Sequence, residues 1–272
     1  MQIDGPLLIV GCGKMGGALL DGWLDRGLPA NHATIVEPAA EAALRFVRAG
    51  AKRLSDGAEL PADFRPGVVL LAVKPQYMDA ALAPLKRLAL PGTLFLSIAA
   101  GRTLASFAQR LGPDLEMVRA MPNTPAAVGR GMSVLVANDR ASAEQRRLAE
   151  SLMAAVGETA WVEEERLLDV VTAVSGGGPA YVFLLAEVLA EAGRANGLPA
   201  ELAARLARVT VAGSGELLHR ARETPAELRR NVTSPAGTTL EALKVLMAED
   251  ALQPLMTRAI AAATRRSREL AG

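Results

Sequence analysis

Aromatic residues are scarce in this sequence, although apolar residues are abundant. Phe, Trp and Tyr together make up 3% of the 272 residues, whereas hydrophobic residues make up 50%. A core must therefore consist mainly of aliphatic side chains, and stacking of nucleic-acid bases on an aromatic surface is not expected. The length is sufficient for two domains that each bury a core.

Soft metal ligands are also nearly missing, and neither sign of charge prevails. The single cysteine, Cys12, cannot form an intramolecular disulfide, which is typical of a reducing compartment, and we expect a cytoplasmic protein. With one cysteine and two histidines, no metal site of the zinc type is expected. The 30 basic residues nearly balance the 29 acidic ones, so a net charge of +1 gives no reason to expect a nucleic acid or a membrane surface as partner.

No targeting or membrane segment is predicted. Residues 1–6 are too few and too polar for a signal peptide. The longest uncharged run, residues 170–186, carries consecutive glycines and Pro179 in its middle, so we do not interpret it as a membrane span.

The first part of the chain alternates short apolar runs with helical segments. Continuous apolar runs are typical of strands that are buried on both faces. The predicted strands are residues 7–10, 34–36, 68–73, 94–98 and 117–120, with 132–136 and 159–162 as later strands at the sheet edge. The predicted helices are residues 16–26, 39–49, 77–87 and 104–111, with a further one near 143–155. This alternation predicts a parallel sheet with helices on both faces.

After about residue 163 no clear strand follows. The predicted helices there are residues 179–196, 200–219, 225–231, 239–248 and 252–270, and prolines at three of their starts fit a first helical turn. The predicted fold class is therefore α/β, with a Rossmann-type parallel-sheet domain over residues 1–163 and an all-helical domain over residues 164–272. A leucine-rich stripe over residues 184–189 is too apolar to face water, so we expect this second domain to dimerise. An ordinary monomeric helical domain is the alternative.

Residues 11–16 read Gly-Cys-Gly-Lys-Met-Gly, directly after the first predicted strand and at the start of the first helix. In this context the pattern indicates a dinucleotide-binding turn. Gly11 would form the tight turn, Gly13 would let the backbone approach a pyrophosphate, and Gly16 would allow close packing of helix and strand. The helix N-terminus would supply amide donors for the phosphates. We expect Cys12 to fill space rather than to react.

Further cofactor contacts are expected where the strands end, because ligands of open parallel sheets bind there. Glu37 follows the second strand and would accept a hydrogen bond from the adenosine ribose, although it is also compatible with a solvated loop acid. Lys74 is compatible with a catalytic acid, a cofactor contact or a strand-end charge, and we favour the cofactor contact. Asn123 is expected to make a polar contact, with turn capping as its alternative. The predicted cofactor-binding residues are Gly11, Gly13, Lys14, Met15, Gly16, Glu37, Ala72, Val73, Lys74, Pro75, Ala99 and Asn123.

Two motifs outside the nucleotide unit carry small and hydroxyl-bearing residues at predicted helix starts. Residues 175–181 read Ser-Gly-Gly-Gly-Pro-Ala-Tyr, and residues 231–239 read Asn-Val-Thr-Ser-Pro-Ala-Gly-Thr-Thr. Hydroxyls and free amides at a helix start suit a carboxylate ligand. A pair of helix caps would leave the same pattern and is the alternative.

Together with residues 11–16, 72–76, 97–101 and 121–125, these two motifs resemble the pyrroline-5-carboxylate reductase family, over nearly the whole chain. The resemblance implies a Rossmann domain and a helical domain that interlocks into a homodimer, with decamers of five dimers in some members. It also implies reduction of 1-pyrroline-5-carboxylate to L-proline by NADH or NADPH, the last step of proline biosynthesis.

The resemblance also implies roles for individual residues. By match to the family motif, Thr239 is the catalytic residue that hydrogen-bonds the ring nitrogen of the substrate. The amides of Thr238 and Thr239, near Ser234, would hold the substrate carboxylate. The implied substrate-binding residues are Ser175, Asn231, Ser234, Gly237, Thr238 and Thr239.

The shortage of candidate acids agrees with reduction of an imine. Reduction of a ketone needs an ionisable group that supplies a proton, but residues 179–188 hold no lysine, and neither His32 nor His219 lies in a site motif. A protonated imine already carries the positive charge, so orientation and hydroxyl donors can suffice. A hydroxyacid dehydrogenase that uses Lys74 as its acid and a nucleotide-binding regulator without catalysis are the alternatives.

Two features depart from the family expectation. The family commonly has Gly-Gly after Ser-Pro, whereas this chain has Ala236-Gly237, and the added methyl would crowd the loop if position 236 needs a positive φ. Glu37 would repel the 2′-phosphate of NADPH, so we predict that the protein prefers NADH or at least uses it well. Arg45, one turn further along the next helix, would weaken this preference if it reached back to a 2′-phosphate.

Overall fold

We describe the fold of residues 3–271 from a computed structural model. Within these residues, eight strands form a single sheet in the order β3-β2-β1-β4-β5-β6-β7-β8. The strands are β1 Leu7–Val10, β2 Ala33–Val36, β3 Lys52–Leu54, β4 Val68–Leu71, β5 Leu94–Ser97, β6 Met117–Met121, β7 Gly131–Ala137 and β8 Gly157–Trp161. The helices are α1 Lys14–Asp25, α2 Ala40–Arg48, α3 Met78–Leu82, α4 Leu104–Leu111, α5 Ala143–Met153, α6 Leu167–Val171, α7 Gly178–Ala195, α8 Ala200–Arg220, α9 Pro225–Asn231, α10 Thr238–Leu246 and α11 Leu252–Ala271.

The sheet has a layer of helices on each face, as the continuous apolar strands predicted. Leu7 and Ile9 of β1 belong to the core on one face, which α1, α2 and α5 cover. Leu8 and Val10 belong to the core on the other face, which α3 and α4 cover. Since successive side chains of a strand point to opposite faces, both sets must be apolar, and all four residues are at most 2% exposed.

Sequence reasoning missed one strand and one reversal of direction. The missed strand, β3, pairs parallel to β2 at the sheet edge and carries the exposed Lys52 and the half-buried Arg53, so it shows no apolar run. The sheet is parallel, as expected, except between β6 and β7, which pair antiparallel. The connection between them holds only a short 3-10 turn, Thr124–Val128, and is too short for the crossover that a parallel pair needs.

The helix predicted over residues 77–87 is broken into shorter pieces. A 3-10 turn at Pro75–Tyr77 precedes α3, and a second 3-10 segment, Ala83–Leu88, follows it. Pro84 has no N–H to donate to the carbonyl of Ala80, so the regular hydrogen-bond pattern of α3 ends there, although Ala83 keeps helical dihedral angles, with φ −53° and ψ −49°.

Spatial contacts divide the chain into two compact units. The first comprises residues up to Gly176 together with those from Ala263 onward, and the second comprises Gly177–Ala262. The first unit includes α6, whose Leu168 packs with Val134 and Val136 of β7. The last turns of α11 belong to the first unit, where the Ser267 hydroxyl donates to the Asp169 carboxylate at 2.7 Å.

The second unit consists of α7 to α10 and the first part of α11, and it exposes many apolar side chains. None of the residues of α7 is buried. Phe183 is 63% exposed and Leu184 is 56% exposed, and Leu185, Val188 and Leu189 share this exposure. By length and composition, the segment Leu167–Ala195 also meets the criteria for a membrane span. A π-helical turn, Thr172–Gly176, interrupts it before α7.

Candidate active site

The three glycines of the loop between β1 and α1 have three different surroundings. Gly11 has φ +93°, and a Cβ there would lie 2.8 Å from the carbonyl of Ala72 and from the Val73 side chain. A Cβ on Gly16 would overlap the carbonyl oxygen of Gly11. Around Gly13, by contrast, no atom lies within 4 Å of the Cβ position. Packing therefore requires glycine at Gly11 and Gly16, whereas Gly13 keeps an approach to the backbone open for a ligand.

Both carboxylate oxygens of Glu37 are held by main-chain amides. Cys12 N–H donates to Oε2 at 2.8 Å, and Ala39 N–H donates to Oε1 at 2.9 Å. Its backbone is also fixed, because Glu37 N–H donates to the carbonyl of Leu54 and Arg53 Nε donates to the carbonyl of Glu37. Glu37 is thus a positioned acid that joins the glycine loop to the end of β2, and it is not a freely solvated loop residue.

A cavity of about 490 Å³ opens where β1, β2 and β4 end. Glu37 and Asp56 supply its acidic groups, and Lys74 is the cation among the described residues that line it. The predicted residues Gly11, Gly13, Ala72 and Val73 also contribute to its wall. The volume and the position at the carboxyl ends of parallel strands suit the adenosine half of a dinucleotide.

Sequence reasoning missed the part of this cavity that follows β3. Ser55, Asp56 and Gly57 line it, and Asp56 caps a short 3-10 turn by accepting from Ala58 N–H at 2.7 Å. Glu59 completes a capping box with Asp56. The Asp-x-x-Glu spacing is a signal for such a cap, but it points to a site only once β3 is recognised.

Arg45 does not face the Glu37 carboxylate. Its guanidinium pairs with Asp21 at 2.5 Å and lies 4.5 Å from the centroid of the Phe46 ring. Arg45, Asp21 and Cys12 line a separate groove along α1, together with residues of the loop after β6.

The Cys12 side chain is buried within the loop, and its Sγ lies 3.7 Å from the carbonyl oxygen of Ala42. Burial, reinforced by the negative charge of Glu37, raises the pKa of this thiol to about 11. A thiol that stays protonated is a poor nucleophile, so the environment suits a space-filling role.

Asn123 and Ser175 are brought together although they lie far apart in sequence. Asn123 Nδ2 donates to Ser175 Oγ at 3.1 Å, and Asn123 Oδ1 accepts from Met132 N–H at 2.9 Å.

Ala99, another predicted cofactor residue, is 7% exposed at the end of β5, where its N–H donates to Ser97 Oγ at 3.2 Å. Pro75 begins the 3-10 turn after β4, and its carbonyl accepts from Arg102 at 3.1 Å.

The second predicted motif forms the tight loop that leads into α10. Gly237 is the N-cap residue, and a Cβ on it would overlap the Ser234 hydroxyl. Leu240 N–H bonds back to the carbonyl of Gly237 at 3.1 Å, whereas the amides of Thr238 and Thr239 have no partner within residues 3–271. The loop therefore places two free donors and nearby hydroxyls at a helix N-terminus. Asn231 ends α9 at the start of this loop and is exposed.

Ala236 is the one non-glycine residue with a positive φ among the described residues, at +56°. The condition stated for this position, a positive φ, is therefore met. The loop requires a left-handed residue where this chain carries a methyl group, which glycine would avoid.

A mainly parallel Rossmann-type sheet, a glycine loop that is open at Gly13 and a positioned acid after β2 define a dinucleotide-binding protein. Within residues 3–271, no group of three or more His, Cys, Asp or Glu side chains is arranged to hold a metal ion.

Comparison with known proteins narrows this class. A family model described as pyrroline-5-carboxylate reductase dimerisation matches residues 165–270, and one described as NADP oxidoreductase, coenzyme F420-dependent, matches residues 6–101. A pyrroline-5-carboxylate reductase of Pseudomonas aeruginosa is 41% identical over 266 residues, which cover 97% of this chain and 96% of that protein. The chain therefore belongs to the pyrroline-5-carboxylate reductase family.

Solved structures agree with this assignment. A pyrroline-5-carboxylate reductase from Coxiella burnetii superposes with a TM-score of 0.91 at 34% identity, covering 98% of this chain and 99% of that one. A pyrroline carboxylate reductase from Plasmodium falciparum with NADP bound superposes with a TM-score of 0.82 at 26% identity, covering 100% of both chains. The family resemblance and the α/β fold class inferred from the sequence are confirmed.

Proposed function

We propose that this chain reduces 1-pyrroline-5-carboxylate to L-proline with NADH or NADPH, the last step of proline biosynthesis. The observation that carries the proposal is the presence of two complementary sites in one member of this family. The glycine loop is open for a dinucleotide at Gly13, and the N-terminus of α10 offers the unpartnered amides of Thr238 and Thr239 to a carboxylate.

The substrate needs little acid catalysis from the protein. NAD(P)H supplies the hydride when it is bound. Because the protonated imine carries a positive charge that hydride transfer neutralises, the protein has to orient the ring and anchor its carboxylate. The Thr239 hydroxyl hydrogen-bonds the ring nitrogen and accepts its N–H while the imine is protonated, and the Thr238 and Thr239 amides with the Ser234 hydroxyl hold the carboxylate. Gly237 keeps Ser234 close to the start of the helix, and Asn231 borders the same loop.

NAD(P)H would be held in the cavity at the ends of β1, β2 and β4. The backbone at Gly13, Lys14 and Met15, where α1 begins, would hold the pyrophosphate. Glu37 would accept a hydrogen bond from the adenosine ribose, and Lys74 would contact the phosphate or ribose. Ala72, Val73, Pro75 and Ala99 would border the cofactor as small or apolar neighbours.

The helical part of the chain serves dimerisation. Half-exposed leucines and Phe183 along α7 form an apolar face that a second copy of this chain would cover, and the dimerisation family model spans this region. A decamer of five dimers is the larger assembly that the family implies. We propose a cytoplasmic enzyme with a small-molecule substrate and without a nucleic-acid or membrane partner. We also propose that residues 1–163 form the dinucleotide-binding domain and that residues 164–272 form the helical domain for substrate binding and dimerisation.

Two measurements test this proposal. Purified protein should oxidise NADH or NADPH with 1-pyrroline-5-carboxylate, followed by absorbance, and it should not reduce NAD⁺ or NADP⁺ with 3-hydroxyacids. Binding of dinucleotide without turnover of this imine would contradict the reductase function. Sedimentation velocity should give a dimer or a multiple of it at micromolar concentration, and a stable monomer would contradict the dimer.

A further inference from the structure

Asn123 links the loop after β6 to the π-helical turn that precedes α7. Its Oδ1 accepts from the main-chain N–H of Met132 at 2.9 Å. Since that partner can only donate, the oxygen of the amide must face Met132, and the NH₂ group must face Ser175. The Asn123 Nδ2 to Ser175 Oγ bond of 3.1 Å therefore has a forced direction, with Ser175 as acceptor.

Because Ser175 accepts in this bond, its own hydroxyl proton is not donated to Asn123. Within residues 3–271, no carbonyl or carboxylate accepts it. The neighbouring Thr172 behaves differently, because its hydroxyl donates to the carbonyl of Leu168 at 2.7 Å, one turn earlier. Serine and threonine in helices commonly make this backward bond. Ser175 is half-buried in a π-helical turn, a feature that is frequent at functional sites.

We propose that Asn123 is a positioning residue that sets Ser175 as a hydrogen-bond donor toward an acceptor oxygen of the bound reactants. That oxygen belongs either to the substrate carboxylate or to the nicotinamide carboxamide, which share the same acceptor chemistry. In this arrangement Asn123 does not itself contact the cofactor but acts through Ser175. The inference rests on the proposed function, since it assigns a role in that reaction.

The test compares two variants, of which one removes the Ser175 hydroxyl and the other reverses the hydrogen bond between residues 123 and 175. Ser175→Ala removes the donor. Asn123→Asp keeps the acceptor for Met132 N–H but replaces the NH₂ group by an oxygen, which captures the Ser175 proton. Each should lower kcat/KM about tenfold, as expected for the loss of one hydrogen bond to a reactant. Thr172→Val, which removes a hydroxyl that its own helix already uses, is the matched control and should keep wild-type kcat/KM.

The double variant separates this mechanism from a simple charge effect of the new aspartate. If Asn123 acts through Ser175, the double variant Asn123→Asp with Ser175→Ala should have about the same kcat/KM as either single variant. Losses that multiply would overturn the proposal, as would wild-type kcat/KM in either single variant. Ser175→Thr, which keeps a hydroxyl, should recover most of the activity.

Binding measurements identify the acceptor and do not depend on turnover. If the acceptor is the substrate carboxylate, the affinity for L-proline, measured by calorimetric titration, should fall in both variants. If the acceptor is the nicotinamide carboxamide, the affinity for NADH, measured by fluorescence titration, should fall instead. Unchanged affinity in both titrations would overturn the proposal. Failure of the proposed function itself would be evident earlier, as a wild-type protein that binds NADH but does not reduce 1-pyrroline-5-carboxylate.

Discussion

The Glu37 carboxylate accepts the main-chain N–H of Cys12, in the middle of the glycine loop, at 2.8 Å. A second amide, that of Ala39, holds the other carboxylate oxygen at 2.9 Å. The acid is therefore fixed at the point where a Rossmann unit meets the adenosine ribose. Arg45, the residue that the sequence suggested for a 2′-phosphate, is paired with Asp21 instead.

This geometry predicts a preference for NADH. Two unit charges about 4 Å apart at a surface-like dielectric repel by ~4 kcal/mol before screening, and salt reduces this to about 1–2 kcal/mol. We expect wild-type kcat/KM to favour NADH roughly tenfold. Glu37→Ser should abolish the preference, whereas Glu41→Ser, which removes an acid on α2 outside the cavity, should not. A wild type that favours NADPH, with a ratio that Glu37→Ser leaves unchanged, would exclude Glu37 as the selector.

The surroundings of the loop glycines predict opposite phenotypes for two alanine variants. Gly13→Ala should leave the free energy of unfolding nearly unchanged, because its Cβ meets no atom within 4 Å and its φ of −71° suits alanine. It should weaken NADH binding about tenfold or more, because the methyl occupies the approach to the pyrophosphate. Gly16→Ala should lower the free energy of unfolding by about 1–3 kcal/mol through overlap with the Gly11 carbonyl. Urea denaturation and fluorescence titration measure the two effects, and equal destabilisation by both variants would contradict the distinction.

Thr239→Ala should lower turnover without affecting dinucleotide affinity. Loss of one hydrogen bond at the ring nitrogen removes about 1–3 kcal/mol of transition-state stabilisation, which is roughly one to two orders of magnitude in rate. Thr239→Ser keeps the hydroxyl and should retain most of the wild-type turnover. Thr257→Ala, at an exposed threonine of α11, serves as a distant control. Wild-type turnover in Thr239→Ala would remove this residue from the mechanism.

Ala236→Gly should stabilise the protein. A left-handed alanine costs about 1–2 kcal/mol, and the greater freedom of glycine in the unfolded chain offsets part of the relief, so we expect a gain of ~0.5–1 kcal/mol. Ala221→Gly, at a φ of −72°, has no strain to relieve and should instead lose stability. Urea unfolding measures the free energy of unfolding of both variants. A lower value for Ala236→Gly than for wild type would mean that the loop does not hold this φ in solution.

Cys12 should resist alkylation in the folded protein. With its pKa raised to about 11 by burial, the thiol is ionised to roughly one part in a thousand at pH 8, whereas an unfolded thiol has a pKa of about 8.5. Mass spectrometry should show labelling by iodoacetamide at least about 100-fold more slowly than in urea. Rapid labelling of the folded protein would show that the thiol is accessible and reactive.

Much of the fold was predictable because it depends on local patterns. Continuous apolar runs identified seven strands, and the spacing of residues 11–16 identified the dinucleotide turn, since steric demands on a strand–helix turn appear directly as glycines. The edge strand β3 and the antiparallel pairing of β7 were not predictable in this way. A three-residue edge strand has no buried face on which to show a pattern, and the direction of a strand depends on the connection rather than on its composition.

The sequence by itself determined the family, the two-part organisation and the set of candidate residues, because motifs state which chemical groups are present. Only the tertiary structure decided how those groups are used. It placed two amides on Glu37, turned Arg45 toward Asp21, and joined Asn123 to Ser175 across 52 positions of the chain. Such pairings depend on which strand ends meet at one edge of the sheet and on which hydrogen-bonding groups burial leaves without water. Neither is written in local sequence, since both arise only when distant segments pack together.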